Sequence, residues 1–320
     1  MTSSIAWPLL FLSIFFTKIH FLPAQAERVK AEISTIDLDH FWEAYDSLAT
    51  STDSVATIQR LYLDRGSDGL KQFLKARNFT AAEYIKLIRR YPTFWPSIRP
   101  NTLAVKDQIA EIQSVFQEYA RIYPKFKAPK VCFAIGCLRT GGTVRGGYLL
   151  IGTEISAADS LTEKSELNNW LKTVLPKDGD VTKMVAHESV HFLQKKGFGQ
   201  VRGYFGHRLL MSSLMEGAAD FIAGKAIGKH INDPIHAYGE AHEAELWKEF
   251  EPIMLDNDIS NWLYNGTKSK DRPADLGYYM GYKICESYYN QAEDKSKAII
   301  EIIEMKRYKR FLRKSGYSGS

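Results

Sequence analysis

Val181–Gly197 reads VTKMVAHESVHFLQKKG, with two histidines four residues apart inside a helical hydrophobic pattern. Asp178 or Asp180 can cap such a helix and Gly197 can stop it, so the spacing predicts one amphipathic helix over this stretch. His187 and His191 then stand one turn apart on a common face, where both imidazoles reach a single metal ion. Glu188 falls elsewhere, in line with Val181, Val185 and Phe192 at steps of four, three and four, so a carboxylate interrupts an apolar stripe. A buried carboxylate is costly unless a metal or hydrogen bonds compensate it, which argues against a helix that only packs. By chance His-Glu-x-x-His is expected roughly once in a hundred chains of this composition, so the motif needs a third ligand.

Tetrahedral catalytic zinc takes three protein ligands and keeps a fourth position for water. Ser213–Gly224, SLMEGAADFIAG, sets Glu216 and Asp220 four residues apart on one helical face, with Gly217, Ala218 and Ala219 between them. Small residues there let this second helix approach the first. Glu216 is the expected third ligand, and Asp220 an outer acceptor that takes the other N–H of a ligand imidazole. His207, in the loop between the helices, is the rival ligand. A third histidine at short spacing is ruled out, because Gln194 and Gly197 hold those places. A solvated acidic face fits poorly with the apolar neighbours LLMSSLM and AADFIA.

Such a site implies metal-assisted hydrolysis with Glu188 as general base and acid. An oxyanion donor is also needed. Asp275–Tyr289, DLGYYMGYKICESYY, offers Tyr278, Tyr279 and Tyr282, with His207 a further candidate. His242 lies in AHEAEL, where Leu246 replaces the second histidine; it reads as a helix-surface residue, as do His230 and His236.

Around these segments the 320 residues, 45% hydrophobic and 25% charged, have the balance of a globular protein. The fold class expected is α+β, mainly α, with a helical N-terminal layer and a small β-sheet in the middle. From Ile36 to about Tyr123 the periodicity is helical: Asp39 is the expected cap of the first helix, and Val105, Ile109, Ile112, Phe116 and Tyr119 form a core stripe. Tyr91–Pro100, YPTFWPSIRP, carries three prolines and is expected to be a loop or extended crossing. KVCFAIG (Lys130–Gly136) and GGYLLIGTEI (Gly146–Ile155) are short β-type runs, expected as a hairpin or neighbouring strands. The glycine-rich stretch between them lacks the Gly-Lys-Ser/Thr ending of a phosphate loop. Further helices are expected at Val181–Lys196, Leu209–Ile227, Pro234 to about Ile253, Leu276–Gln291 and Ser296–Phe311.

Residues 1–26 combine the apolar run PLLFLSIFF with Ala24-Gln25-Ala26 before Glu27, the pattern of a cleavable export signal. A membrane anchor is the alternative, opposed by Lys18 and His20, which cut the run short of a span. The expected division is a signal at 1–26, an N-terminal helical region at 27–128 and a catalytic domain at 129–320, with 27–320 one compact unit. Export puts the protein in the periplasm or outside the cell, with no membrane span after cleavage. Cys132, Cys137 and Cys285 are too few for a disulfide framework; Cys132 and Cys137 either close a small loop or stay free. The net charge of +5 is spread along the chain, apart from the basic tail from Met305, which reads as a solvated helix end. No nucleic-acid motif accompanies that charge. Nothing in the sequence sets the oligomeric state.

Ala186–Gln194, AHESVHFLQ, followed by Met215–Ile222, MEGAADFI, resembles the gluzincin type of metallopeptidase. More narrowly, GGTVRGGYLLIGTEI, the metal helix, the EG-A helix and GYYMGYKI resemble, in that order, the predicted zinc-dependent protease family related to the gliding-motility GldB lipoproteins. The likeness spans Val131 to Tyr289, and the chain lacks the lipobox cysteine of a lipoprotein. It implies a zincin-like fold, in which Tyr148–Ile151 binds an extended peptide by edge pairing. It also implies His187, His191 and Glu216 as zinc ligands and Glu188 as acid/base, acting on a peptide or protein substrate. The alternative is a catalytically silent envelope-assembly or binding protein on the same fold.

Overall fold

The computed structural model describes residues 29–194, 207–266, 268–269 and 271–319. The export signal expected at 1–26 and the helix stop assigned to Gly197 lie outside the described residues. β1 (Ile33–Ser34) leads into α1 (Ile36–Ser47), α2 (Ser54–Ile58), α3 (Asp68–Arg77), α4 (Ala81–Arg90), α5 (Phe94–Ala104) and α6 (Ile109–Ile122). β2 (Lys130–Ala134), β3 (Gly142–Arg145) and β4 (Tyr148–Gly152) follow, then α7 (Thr153–Ser156), α8 (Asn169–Val174), α9 (Val181–Gln194) and α10 (Arg208–Ile227). The chain closes with α11 (Asp233–Ala241), α12 (Glu243–Phe250), α13 (Leu276–Gln291), α14 (Lys295–Ile303) and α15 (Tyr308–Ser315). The class is α+β and mainly α. None of the described helices is long and apolar enough to cross a membrane.

The sheet has the order β1-β2-β4-β3, with β3 antiparallel to β4 and the other pairs parallel. The two β-type runs are therefore parallel neighbours. The hairpin lies between β3 and β4 and turns at Gly146 and Gly147, whose φ values of 58 and 87 suit residues without a Cβ. This corrects the expectation that Tyr148–Ile151 presents a free edge: β4 is paired on both sides, and β3 is the outer strand beside it. An apolar run such as Tyr148-Leu149-Leu150-Ile151 reports a strand covered on both faces, and such strands sit inside sheets.

Side chains alternate along a strand, so the register assigns the faces. Cys132, level with Leu150 and Thr143, points at α1, its Sγ 3.4 Å from Asp37 Oδ2. Gly142 is one residue out of phase and faces α9 on the other side. The sheet is thus a middle layer between α1 and α3 on one side and α9 on the other. Asp37 is buried and accepts from Ser67 N and Oγ at 2.9 and 2.5 Å, while Ser67 Oγ caps α3 through Leu70 N. Asp39 is not the cap of α1: the helix starts at Ile36, and Asp39 pairs with Lys106 at 2.6 Å from within the first turn. All three cysteines are free and buried.

Most of Tyr91–Pro100 is helical, contrary to expectation. Pro96 sits in the first turn of α5, where a helix needs no N–H. The Glu166 carboxylate accepts from Thr93 N and Phe94 N at 3.0 and 3.2 Å, supplying that end from a distant segment. Pro100 costs the helix ~3 kcal/mol, and burial of Phe94, Trp95 and Ile98, each ~1.5–3 kcal/mol, outweighs it. The helices expected at Pro234–Ile253 and Ser296–Phe311 each divide in two, breaking at His242 and at Glu304–Arg307.

α10 packs on α9 and on α13. A Cβ at Gly217 would lie 2.1 Å from Tyr282 N, and one at Gly281 would lie 1.7 Å from Ser213 O, so the α10 and α13 backbones touch. The small residues after Glu216 were expected to admit α9. Gly217 instead admits α13, because the Glu216/Asp220 face that meets α9 lies about 100° away around the helix.

Candidate metal centre

α9 begins where Asp180 Oδ1 accepts from Thr182 N at 2.9 Å and Gln108 Oε1 accepts from Val181 N at 3.1 Å, so Asp180 rather than Asp178 caps it. One helical turn separates His187 from His191, and the contact with α10 brings Glu216 and Asp220 to the same place. His191 Nε2 lies 3.0 Å from both His187 Nε2 and Glu216 Oε2, and His187 Nε2 lies 3.4 Å from Glu216 Oε2.

The outer partners assign the protons. Asp220 Oδ1 lies 2.7 Å from His187 Nδ1, and an ionised carboxylate only accepts, so Nδ1 carries the hydrogen. Gln194 Nε2 donates to Met215 O at 2.9 Å, which turns its Oε1 toward His191 Nδ1 at 2.8 Å and makes that nitrogen a donor too. Both Nε2 lone pairs therefore face Glu216 Oε2. With both rings neutral, three acceptors at this separation repel one another unless a proton or a metal ion lies between them.

The geometry fits such a cation. Bonds of ~2.0–2.1 Å at tetrahedral angles put ligand atoms about 3.3 Å apart, and the three observed separations are 3.0, 3.0 and 3.4 Å. Two carboxylates, Glu216 and Asp220, balance a dication. The same field acts on protons. Burial opposes charge on His187, yet the Asp220 and Glu216 carboxylates raise it well above the ordinary histidine value. Burial likewise opposes charge on Glu216, and the His191 and His187 rings outweigh it, holding the carboxyl well below its usual range.

Glu188 is 9% exposed and makes no hydrogen bond with the described residues. It lies under β3: a Cβ at Gly142 would sit 2.6 Å from Glu188 Cγ and 2.8 Å from its Oε1. Glycine at 142 is what leaves the carboxylate room.

Tyr278 stacks on His187, with ring centroids 6.1 Å apart and planes 18° apart. Burial, and after it the Glu216 charge, push the Tyr278 phenol well above its usual range, so it stays a donor. Tyr282, one turn on, packs instead against His236, Phe221 and His230, at 4.4, 5.4 and 5.7 Å. Tyr279 donates to Glu243 at 2.9 Å. His207 stands at the N-terminal end of α10 with its Nδ1 2.5 Å from Leu255 O, and the structure does not bring it to the trio. His236 is buried at 4% exposure, which corrects its reading as a helix-surface residue.

Two residues of the centre were missed. Tyr264 donates to Glu216 Oε1 at 2.6 Å, leaving Oε2 to face the imidazoles. It is far from the motif, in a turn whose positive φ of 55 no sequence pattern announces. Gln194 was noted only as the absence of a ligand. Its position three residues after His191 on one helix was the available signal.

Fold and site together define a mainly helical α+β protein with a His-His-Glu donor set able to hold a divalent metal. Residues 164–308 match the model of a family, DUF2268, described as a predicted Zn-dependent protease, and that stretch contains every side chain of the trio and its partners. No curated protein and no solved structure matches the chain.

Proposed function

We propose that the chain is a zinc-dependent peptidase of the gluzincin type, related to the GldB-like predicted proteases and exported to the periplasm or the cell exterior. One observation carries the reading: three acceptor atoms spaced like the corners of a metal tetrahedron, beside a buried carboxylate with no partner among the described residues. His187, His191 and Glu216 would hold the ion, and Asp220 and Gln194 keep the two Nε2 lone pairs aimed inward. Zinc, when bound, supplies a Lewis acid that acidifies water and polarises a carbonyl.

Glu188 takes the proton of the attacking water and hands it to the leaving amine. Tyr278 donates its hydroxyl to the developing oxyanion; its stacking on His187 favours it over Tyr282, which packs against His236. The outer strand β3, running over Glu188, takes over from Tyr148–Ile151 as the edge on which an extended peptide pairs.

Elemental analysis and a peptide-library digest of wild type and Glu188→Gln test this. The wild type should carry one zinc at this centre and cleave, and the variant should keep the zinc and lose cleavage. Folded wild-type protein that takes up no zinc would sink the proposal. Zinc-loaded protein that cleaves no peptide would favour the silent binding protein.

A further inference from the structure

Beside Asp220, three side chains unused by the centre above converge. His230 lies in the connection after α10, His236 on α11, and Glu240 one turn beyond it on the same helix. One ligand atom from each falls within 4.8 Å of the others. The His230 and His236 rings stand 4.2 Å apart and 34° from parallel.

His236 is 4% exposed, and His230 lies nearer the surface. Their ring nitrogens and the Glu240 carboxylate form one donor set of the kind a shared cation draws together. The walls fix the geometry: Tyr282 meets His236 edge-on at 4.4 Å and Tyr279 at 5.7 Å. Glu240 is exposed, so the cluster opens to solvent on that side and an ion can enter.

We propose that His230, His236 and Glu240 form a second metal site, distinct from the α9/α10 centre, for a divalent ion of the zinc class. Two imidazole nitrogens and one carboxylate oxygen suit zinc and its first-row neighbours, not magnesium or calcium, which seek oxygen. The two sites share a link. Asn232 Nδ2 donates to Asp220 Oδ2 at 3.0 Å, and Asn232 O accepts from His236 N at 3.1 Å. An ion on His236 therefore steadies the residue that holds the outer oxygen of Asp220.

The test counts ions. Metal-depleted full-length protein is titrated with Zn2+, and bound zinc is measured by elemental analysis after dialysis for wild type, His187→Ala, Glu240→Gln and His230→Gln/Glu240→Gln. Two ions are expected on the wild type and one on His187→Ala. Glu240→Gln, at an exposed position that leaves the far-UV circular dichroism unchanged, should bind its second ion at least ~10-fold more weakly. The double variant should bind one ion. The proposal is overturned if His187→Ala binds none, if the wild type binds none, or if the double variant matches the wild type in number and affinity. Survival of one ion on His187→Ala upholds it whatever becomes of the first centre.

Discussion

At the first centre a few side chains decide whether the donor set stays aimed. Asp220 fixes the His187 ring through a 2.7 Å contact, and removing an outer partner of a metal-ligating histidine weakens metal binding ~10–100-fold. Asp220→Ala should show that loss in a competition titration with a zinc chelator. Tyr264→Phe frees Glu216 Oε1 from its 2.6 Å donor, and a smaller loss in the same direction is expected from the same titration. Gly142→Ala probes a different function: the added methyl would meet Glu188 Cγ at 2.6 Å and push the carboxylate aside. Peptide cleavage should fall, by up to the ~10²–10⁴-fold attributed to a general base, with zinc content unchanged. What could be read at this scale was whatever sat on one helix. His187, Glu188 and His191 were legible from spacing, whereas Tyr264 reaches Glu216 across 48 positions and only through the fold.

Among the elements, helices announced themselves more clearly than strand order. α9, α10 and α13 follow from apolar periodicity and their ends, because a helix satisfies its own backbone. Prolines misled at α5, where Glu166 caps the helix from a segment more than 70 residues away. The sheet order was not legible either: an apolar run marks β4 as covered but does not say what pairs with its edges, and that pairing decides which strand is left outermost. The α10/α13 contact is testable here. Gly281→Ala forces a methyl against Ser213 O, and overpacking of this kind costs ~1–3 kcal/mol or more. The unfolding free energy from urea titration should fall by that amount, with metal content retained in the folded fraction.

For the molecule as a whole, pH acts on stability through Glu154. It is fully buried and accepts from Gly136 N at 2.9 Å and Leu138 N at 2.8 Å, tying the start of α7 to the loop after β2. Burial pushes its carboxyl up to about 7 from 4.5, against the pull of those two donors. The folded state thus binds the proton more tightly than the unfolded one. This group's contribution to stability is greatest below about 4.5 and is lost as pH rises to about 7. Glu154→Gln removes that slope, so its unfolding midpoint should vary less than the wild type's across the window. It should also be lower at the acid end, since one backbone N–H loses its acceptor, at ~1–3 kcal/mol. The mainly helical class was legible from composition and periodicity. The sheet as a middle layer was not, because strand register decides which face meets α9.

The backbone contact between α10 and α13 reaches beyond packing. Helices pressed together without intervening side chains have no room to slide, so Glu216, Asp220 and Tyr278 travel as one rigid jaw. His187, His191 and Glu188 ride on the opposing jaw, α9 backed by the sheet. An ion gripped by both is a rivet through a joint. Chelating it should speed amide hydrogen exchange first along the α9–α10 seam, while the α10–α13 seam stays protected.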